Sequence, residues 1–368
     1  MGQTGMYRIV CFATQGHDHI EGERIRVMLE PLGPREFRFE RAHKLRSAAG
    51  LLKMLLTERP DLVVMEGTGT AGGIPLLLAR ALRGVPYVVS SGDAVGPFLG
   101  LGSRALGIAG GLYERLLCRF CAGFVGWTPY LAGRAMTYGA PRAMTAPGWT
   151  RNEPSPGARE RVRRELGVPE HAIVVGLTGS LHWNRRAGYV YGLEIVDAVV
   201  RAARKDVYAC IVGDGDGRGR LEALAGEQLG RHVLLPGRVP PEQVPDYLSA
   251  FDVGSLSQSV DPIGAFRYTT KLSEYLAVGL PVVTGETPLA YDLDEGYMWR
   301  LPGDAPWRED YIRALTELLA SITPEDVAAR REVAIAADAG LFDRGVQQQR
   351  MTEFMGDLLA ARSPARGG

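Results

Sequence analysis

The residues with the most chemical content lie between positions 261 and 284, DPIGAFRYTTKLSEYLAVGLPVVT. The run reads as a glycine-containing loop, a helix and a buried strand. Thr269 and Thr270 are of the type that caps a helix N-terminus. Free N–H groups there, together with the helix dipole, suit a phosphate. Lys271 stands at that same end, where a cation is out of place unless an anion sits beside it. Lysine is scarce in this chain, with Lys44, Lys53, Lys205 and Lys271 set against many arginines, so a retained lysine draws notice. Glu274, in the same first turn, can accept two hydroxyl hydrogen bonds of the kind a ribose offers. An ordinary capped helix with a dipole-favoured glutamate explains the same residues without a ligand.

Four other patterns compete. Gly67-Thr68-Gly69-Thr70-Ala71-Gly72 has the form G-x-G-x-x-G, and Asp93 follows at the end of the next strand, a formal dinucleotide fingerprint. It follows a later strand than the first, which favours a packing turn over a nicotinamide or flavin site. Acceptor contact through Gly67 and Gly69 is the third reading. Gly213-Asp214-Gly215-Asp216-Gly217 resembles a phosphate cradle, but two aspartates would repel a phosphate without a bridging cation, so a polar turn is favoured. His17-Asp18-His19 follows the first strand, where His17 or Asp18 could touch an acceptor; no further metal ligands accompany them. Cys118 and Cys121 share a helix with Leu116 and Leu117 and lack a second pair at zinc spacing, which reads as core.

The elements that must position these residues alternate. Apolar runs at 7–13, 62–65, 87–90, 124–127 and 143–145 read as strands, with helices at 43–58, 74–82 and 103–120 between them. A linker of Asn, Pro, Ser and Gly spans 149–157. The pattern then restarts, with strands at 173–177, 207–212, 233–235, 253–256 and 281–284 and helices at 190–203, 218–228, 243–248 and 271–278. The fold class is α/β: two doubly wound Rossmann-like domains facing a cleft. We divide the chain into 1–150, 151–340 and a C-terminal piece, 341–368, whose helix returns to the N-terminal domain before a disordered tail at 363–368.

The 368 residues carry 42 basic and 42 acidic side chains, a formal net charge of zero, which argues against a general nucleic-acid binder. Four cysteines do not make a disulfide framework. There is no apolar run long enough to span a bilayer and no secretory signal, so a cytoplasmic location is expected. The helix at 104–120 mixes Leu106, Ile108, Leu112, Leu116 and Phe120 with Arg104, Arg115 and Arg119. Core packing is its first reading, and peripheral contact with the inner face of a membrane holding a lipid-linked acceptor is the second.

The run from Lys271 to Val283, KLSEYLAVGLPVV, resembles the donor-site signature of GT-B-fold retaining glycosyltransferases, family 4 in particular. Supporting segments come in the same order: 207–215 (VYACIVGDG), 232–239 (HVLLPGRV), 244–253 and, before them, 138–148. The resemblance implies that Glu274 holds the ribose and that Thr270, Leu272 and Ser273 meet the diphosphate. It implies that Gly237, Arg238 and Val239 frame the base and that Gly264, Ala265 and Phe266 lie beside the transferred sugar. The loop from Gly179 and Ser180 to Arg186 would place a cation over the diphosphate together with Lys271. Asp93 would take a polar role near the sugar or acceptor. Such enzymes usually carry glutamate where Phe266 stands, arginine where Ser180 stands, lysine where Arg186 stands and histidine near Ser90-Ser91-Gly92-Asp93.

The resemblance implies a retaining hexosyl-type transferase, monomeric or weakly dimeric. It would use a nucleoside diphosphate sugar as co-substrate, with no cofactor and no metal, and a glycan, lipid-linked or small-molecule acceptor. Other readings are a non-catalytic nucleotide-sugar binding or scaffold protein, an epimerase on a related fold, or an oxidoreductase using 67–72.

Overall fold

A computed structural model describes residues 7–149, 153–267, 270–337 and 342–361. Asn152 of the linker, the Thr269 cap, the boundary at 340–341 and the tail at 363–368 lie outside these residues, and Thr270 contributes its backbone alone. The described residues form two units. The first holds 7–148, 266–267 and 343–361, and the second holds the remainder.

The first unit runs β1 (Ile9–Ala13), α1 (Ile20–Leu29), β2 (Arg35–Glu36), α2 (Lys44–Glu58), β3 (Leu62–Glu66), α3 (Thr70–Arg83), β4 (Tyr87–Ser91), α4 (Val95–Gly100), α5 (Arg104–Phe120), β5 (Gly123–Gly126), α6 (Pro129–Thr137) and β6 (Ala143–Thr145). Its six strands are parallel, in the order β2-β1-β3-β4-β5-β6. Every residue of β1, β3 and β4 is buried, because helices cover both faces of a parallel sheet. That is why these strands read as unbroken apolar runs.

The second unit runs α7 (Ala158–Leu166), β7 (Ile173–Thr178), α8 (Leu193–Ala202), β8 (Val207–Val212), α9 (Arg218–Ala225), β9 (Val233–Gly237), α10 (Val244–Ser249), β10 (Val253–Leu256), α11 (Thr270–Ala277), β11 (Val282–Gly285), α12 (Pro288–Asp292), β12 (Met298–Leu301), α13 (Glu309–Ser321) and α14 (Pro324–Ala337). Its parallel order is β12-β11-β10-β7-β8-β9. Counted from β7, this is the Rossmann order, and the winding reverses between β7 and β10. Val175, Leu177 and Ile211 of the sheet pack on Ile195 and Val199 of α8 and Leu315 of α13.

Helix α7, ARERVRREL, has only a narrow apolar face, with Ala158 and Val162 buried, and is held largely by charge. Arg159 Nη2 lies 2.6 Å from Asp252 Oδ1, and Arg161 Nη2 lies 2.6 Å from Asp246 Oδ2. The buried Arg163 pairs with Asp252 Oδ2, which also accepts from Val174 N at 2.8 Å. Burial pulls the Arg163 guanidinium below its ordinary range, so Asp252 is what keeps that charge tolerable.

The last helix, α15 (Arg344–Ala360), belongs to the first unit. Asp343 caps it by accepting from Val346 N at 2.7 Å. Gln347 accepts from Gly148 N at 2.9 Å and donates to Gly148 O, and Gln348 Nε2 donates to Val27 O at 2.6 Å.

Removing Asp252 strands a buried guanidinium. Asp252→Ala is expected to cost about 3–5 kcal/mol in urea unfolding, as breaking one partner of a buried pair does. A loss below about 1 kcal/mol would contradict the charge-held account of α7.

Candidate donor site and the polar clusters around it

The carboxyl ends of β7, β8 and β9 and the start of α11 enclose a cavity of about 380 Å³. One wall is Thr178, Gly179 and Ser180. The second is Val212, Gly213 and Asp214. The third is Arg238, Val239 and Val244, and Lys271 and Glu274 close it. Backbone bonds fix the walls: Gly179 N donates to Val212 O, and Gly213 N donates to Gly237 O, each at 2.9 Å. Gly213 has φ +152°, and a Cβ there would lie 1.8 Å from Gly179 O, so glycine is required.

Lys271 reaches across the cavity. A Cβ on Gly179 would lie 3.6 Å from Lys271 Nζ, which also stands 4.8 Å over the Tyr191 ring. Glu274 lies one turn further along α11, on the same side as Lys271. Leu272 and Ser273 point into the protein and are buried, leaving their backbones to the helix start. Asp214 Oδ1 accepts from Gly215 N at 2.8 Å and Asp216 Oδ1 from Trp183 N at 2.8 Å, so the glycine-aspartate run is a polar turn with Asp214 on the cavity wall.

The remaining sequence candidates divide. Gly179, Ser180, Arg238, Val239, Lys271 and Glu274 line the cavity; Gly237 adjoins it through its carbonyl. Arg186 does not line it: it is exposed on a loop where Asn184 Oδ1 accepts from Arg186 N at 3.1 Å. Gly264 and Ala265 follow Asp261, whose Oδ1 accepts from Ile263 N and Gly264 N, both at 2.8 Å. Phe266 falls in the first unit, where Thr128 Oγ1 donates to its carbonyl at 3.0 Å and the Arg134 guanidinium stands 5.1 Å over its ring.

Beneath the second sheet's edge lies a cluster that sequence reasoning missed. Glu194 is fully buried and accepts from Tyr189 Oη at 2.8 Å, from Ser255 Oγ and from Ser257 Oγ. Burial pushes its carboxyl above the ordinary range, and these donors offset part of that. Nothing in LEIVDAVVRA marks this glutamate apart from a dipole-favoured first-turn residue. Its two serine partners come from β10 and the segment after it, 61 and 63 positions away.

In the first unit, Asp93 Oδ1 accepts from Arg267 Nε at 3.0 Å. His17 Nδ1 lies 2.6 Å from Glu36 Oε1, while Asp18 is fully exposed. Packing on one threonine explains the glycine fingerprint. Cβ atoms at Gly67, Gly69 and Gly72 would lie 2.4 to 2.9 Å from atoms of Thr14. Glu66 is wholly buried; its oxygens meet Arg24 Nη1 at 2.7 Å, Ser90 Oγ at 3.0 Å and Trp127 Nε1 at 3.1 Å. All four cysteines are free and buried, and burial pushes each thiol well above its ordinary range, which makes them inert.

With this geometry in hand, comparison with known proteins places the chain. Residues 6–147 match the family model described as "Glycosyl transferase 4-like domain", and residues 172–321 match "Glycosyl transferases group 1". The chain belongs to the group 1 glycosyltransferases and has the GT-B fold. Among solved structures it is similar to Anabaena HepE, crystallised in complex with UDP (16% identity, 95% of this chain, 100% of that one, TM-score 0.70). It is also similar to sucrose-phosphate synthase of Thermosynechococcus elongatus (16% identity, 96% and 99%, TM-score 0.72). The D-inositol 3-phosphate glycosyltransferase of Corynebacterium jeikeium is 31% identical over 145 residues, 37% of this chain. The curated relatives it matches are spanned over 22% and 33% of their length.

One group near the fingerprint glycines titrates in a useful range. Glu21 opens α1, its buried Oε2 has no hydrogen-bond partner, and burial with Glu66 and Asp93 nearby lifts its carboxyl to about 7 against an ordinary 4.5. The folded state then holds a proton that the unfolded chain has lost. Its stability contribution is present below 4.5 and disappears as the pH rises through 7. Glu21→Gln is therefore expected to raise the Tm by a few degrees at pH 8 and by much less at pH 5. A larger gain at pH 5 than at pH 8 would contradict the assignment.

Proposed function

We propose that the cavity at the carboxyl ends of β7, β8 and β9 binds a nucleoside diphosphate sugar. The chain would transfer the sugar, a hexosyl group, with retention of configuration to an acceptor held by the first unit. The observation that carries this is the pairing of Glu274 and Lys271 one turn apart on α11, both lining a cavity whose opposite walls are glycine backbone. Glu274 takes the ribose hydroxyls. The backbone at Thr270, Leu272 and Ser273, at a helix N-terminus, meets the diphosphate. Gly237, Arg238 and Val239 take the base, and Gly179 and Ser180 lie under the phosphates.

When the sugar leaves, the nucleoside diphosphate gains negative charge. A fixed cation there lowers the barrier, because it interacts more strongly with the transition state than with the bound donor. Lys271 supplies that charge from inside the cavity, while Arg186 stays out on its exposed loop, and the reaction runs without a metal or other cofactor. Gly264, Ala265 and Phe266 attend the sugar. Asp93, His17, Asp18, Gly67 and Gly69 stand on the acceptor side, at the carboxyl edge of the first sheet. The acceptor is a glycan, a lipid-linked molecule or a small molecule. The protein works in the cytoplasm as a monomer or weak dimer.

Thermal unfolding against UDP, GDP, ADP, dTDP and NAD tests the donor assignment. HepE was crystallised with UDP, which makes UDP the first nucleotide to try. A ligand at about 100 times its Kd adds about 2.7 kcal/mol, a shift of a few degrees. One nucleoside diphosphate is expected to give that shift, and Glu274→Ala to remove it. Lys271→Ala is expected to lower kcat more than it weakens nucleotide binding. A shift with NAD alone, or an unchanged shift in Glu274→Ala, would overturn the assignment.

A further inference from the structure

Ten of the sixteen exposed large hydrophobic side chains among the described residues fall on α3, α4, α5 and the turn joining α4 to α5. On α5, Ile108, Leu112, Leu116 and Phe120 recur every fourth residue and are 41–69% exposed, one continuous stripe along the helix. On α3, Ile74, Leu78 and Leu82 do the same. The two helices meet where Tyr113 Oη donates to Gly69 O at 3.2 Å, and a Cβ on Gly73 would collide with Tyr113 and approach Leu117. Phe98 and Leu101, at the end of α4, extend the surface. Helix α4 lies backbone to backbone on α5 because both are glycine at the crossing. A Cβ on Gly107 would stand 2.9 Å from Gly100 Cα, and one on Gly96 would stand 3.1 Å from Gly111 Cα.

The charge on these helices is one-sided in a chain whose formal net charge is zero. Residues 70–120 contain five arginines and two acids. Both acids are already paired: Glu114 is buried against Arg134 at 2.8 Å, and Asp93 is held by Arg267. Arg104, Arg115 and Arg119 are exposed on α5 and, at helical spacing, form a row directly beside the apolar stripe. Arg83 is exposed at the end of α3. Such an exposed apolar patch, edged by cations while the two acids of residues 70–120 are paired elsewhere, fits a surface that is itself apolar below and anionic above. A second copy of the chain offers the arginine row no opposite charge from residues 70–120, because both acids there are already paired.

We propose that the α3–α4–α5 face docks on an anionic lipid bilayer, with the α5 stripe at the headgroup–acyl boundary and the arginine row on the phosphates. This surface is separate from the donor cavity, and docking needs neither nucleotide nor acceptor.

The test is sedimentation of the full chain with vesicles of phosphatidylcholine containing about one quarter phosphatidylglycerol, at about 50 mM and about 500 mM salt. Pure phosphatidylcholine vesicles serve as the control. Binding to the anionic vesicles is expected at low salt, with at least a tenfold loss at high salt or on the neutral vesicles. Leu112→Ser/Leu116→Ser and, separately, Arg115→Glu/Arg119→Glu are each expected to reduce binding about tenfold or more. Both changes are on exposed side chains, and an unchanged far-ultraviolet spectrum and Tm show that each variant is folded. The nucleotide-induced Tm shift is expected to survive in both, which separates failure here from failure of the donor assignment. The proposal is overturned if the wild-type chain stays in the supernatant with anionic vesicles at low salt, or if folded variants bind as well as wild type. It is equally overturned if the chain is a dimer that the same substitutions dissociate without any lipid binding.

Discussion

The cavity lined by Lys271 and Glu274 depends on how closely two backbones approach at the carboxyl ends of β7 and β8. Gly213 faces the Gly179 carbonyl at a distance no side chain permits, with a φ that L-residues rarely adopt. Because the walls there are bare peptide, the space beyond them stays open and α11 can aim Lys271 and Glu274 into it. The topology requires that opening at this edge. In a sheet wound outward from β7 and β10, the loops leave in opposite directions and leave a crevice. The glycines keep side chains from filling it.

Both sheets use a similar device under that edge. In the second, Glu194 gathers Tyr189, Ser255 and Ser257; in the first, Glu66 gathers Arg24, Ser90 and Trp127. Each is a buried carboxylate satisfied by donors from several elements, the condition under which a buried acid is tolerated. Such a cluster ties strand ends to the helices that follow them, so residues at the edge are held by long-range bonds rather than by their own loops. Glu21 is the exception within this scheme. It lies near Glu66, has no donor of its own for Oε2, and so answers to pH.

The strands were the legible part of the sequence. Fully buried parallel strands such as IVCFA, LVVME and VYACIV must be apolar along their length, and so they read plainly. The run from Lys271 was legible as a loop, a helix and a strand, and the structure sets Lys271 and Glu274 of that helix on one cavity. Helix α1 was hidden because it buries Arg24, and α7 because its stability resides in Arg159, Arg161 and Arg163 pairing with acids some 85–93 positions away. No periodicity records such pairings. The fingerprint at 67–72 was legible and ambiguous for a physical reason: packing three backbone positions on Thr14 calls for the same glycines that a pyrophosphate would. Arg186 shows the opposite limit, since position in a motif does not determine where a loop side chain stands.

The path of the chain has a consequence for how it is made. Among the described residues, the first unit takes 7–148 and, much later in the chain, helix α15, with the second unit's sequence between. Gln347 satisfies the backbone of Gly148, and Gln348 the last turn of α1, so those groups wait for α15. Domains emerge from the ribosome N-terminal first and tend to fold as they emerge. Here the unit synthesised first is the last to be completed. While the second unit is being translated, the carbonyl of Val27 on α1 and the backbone of Gly148 have no α15 side chain to meet, so water must serve them until the last helix arrives.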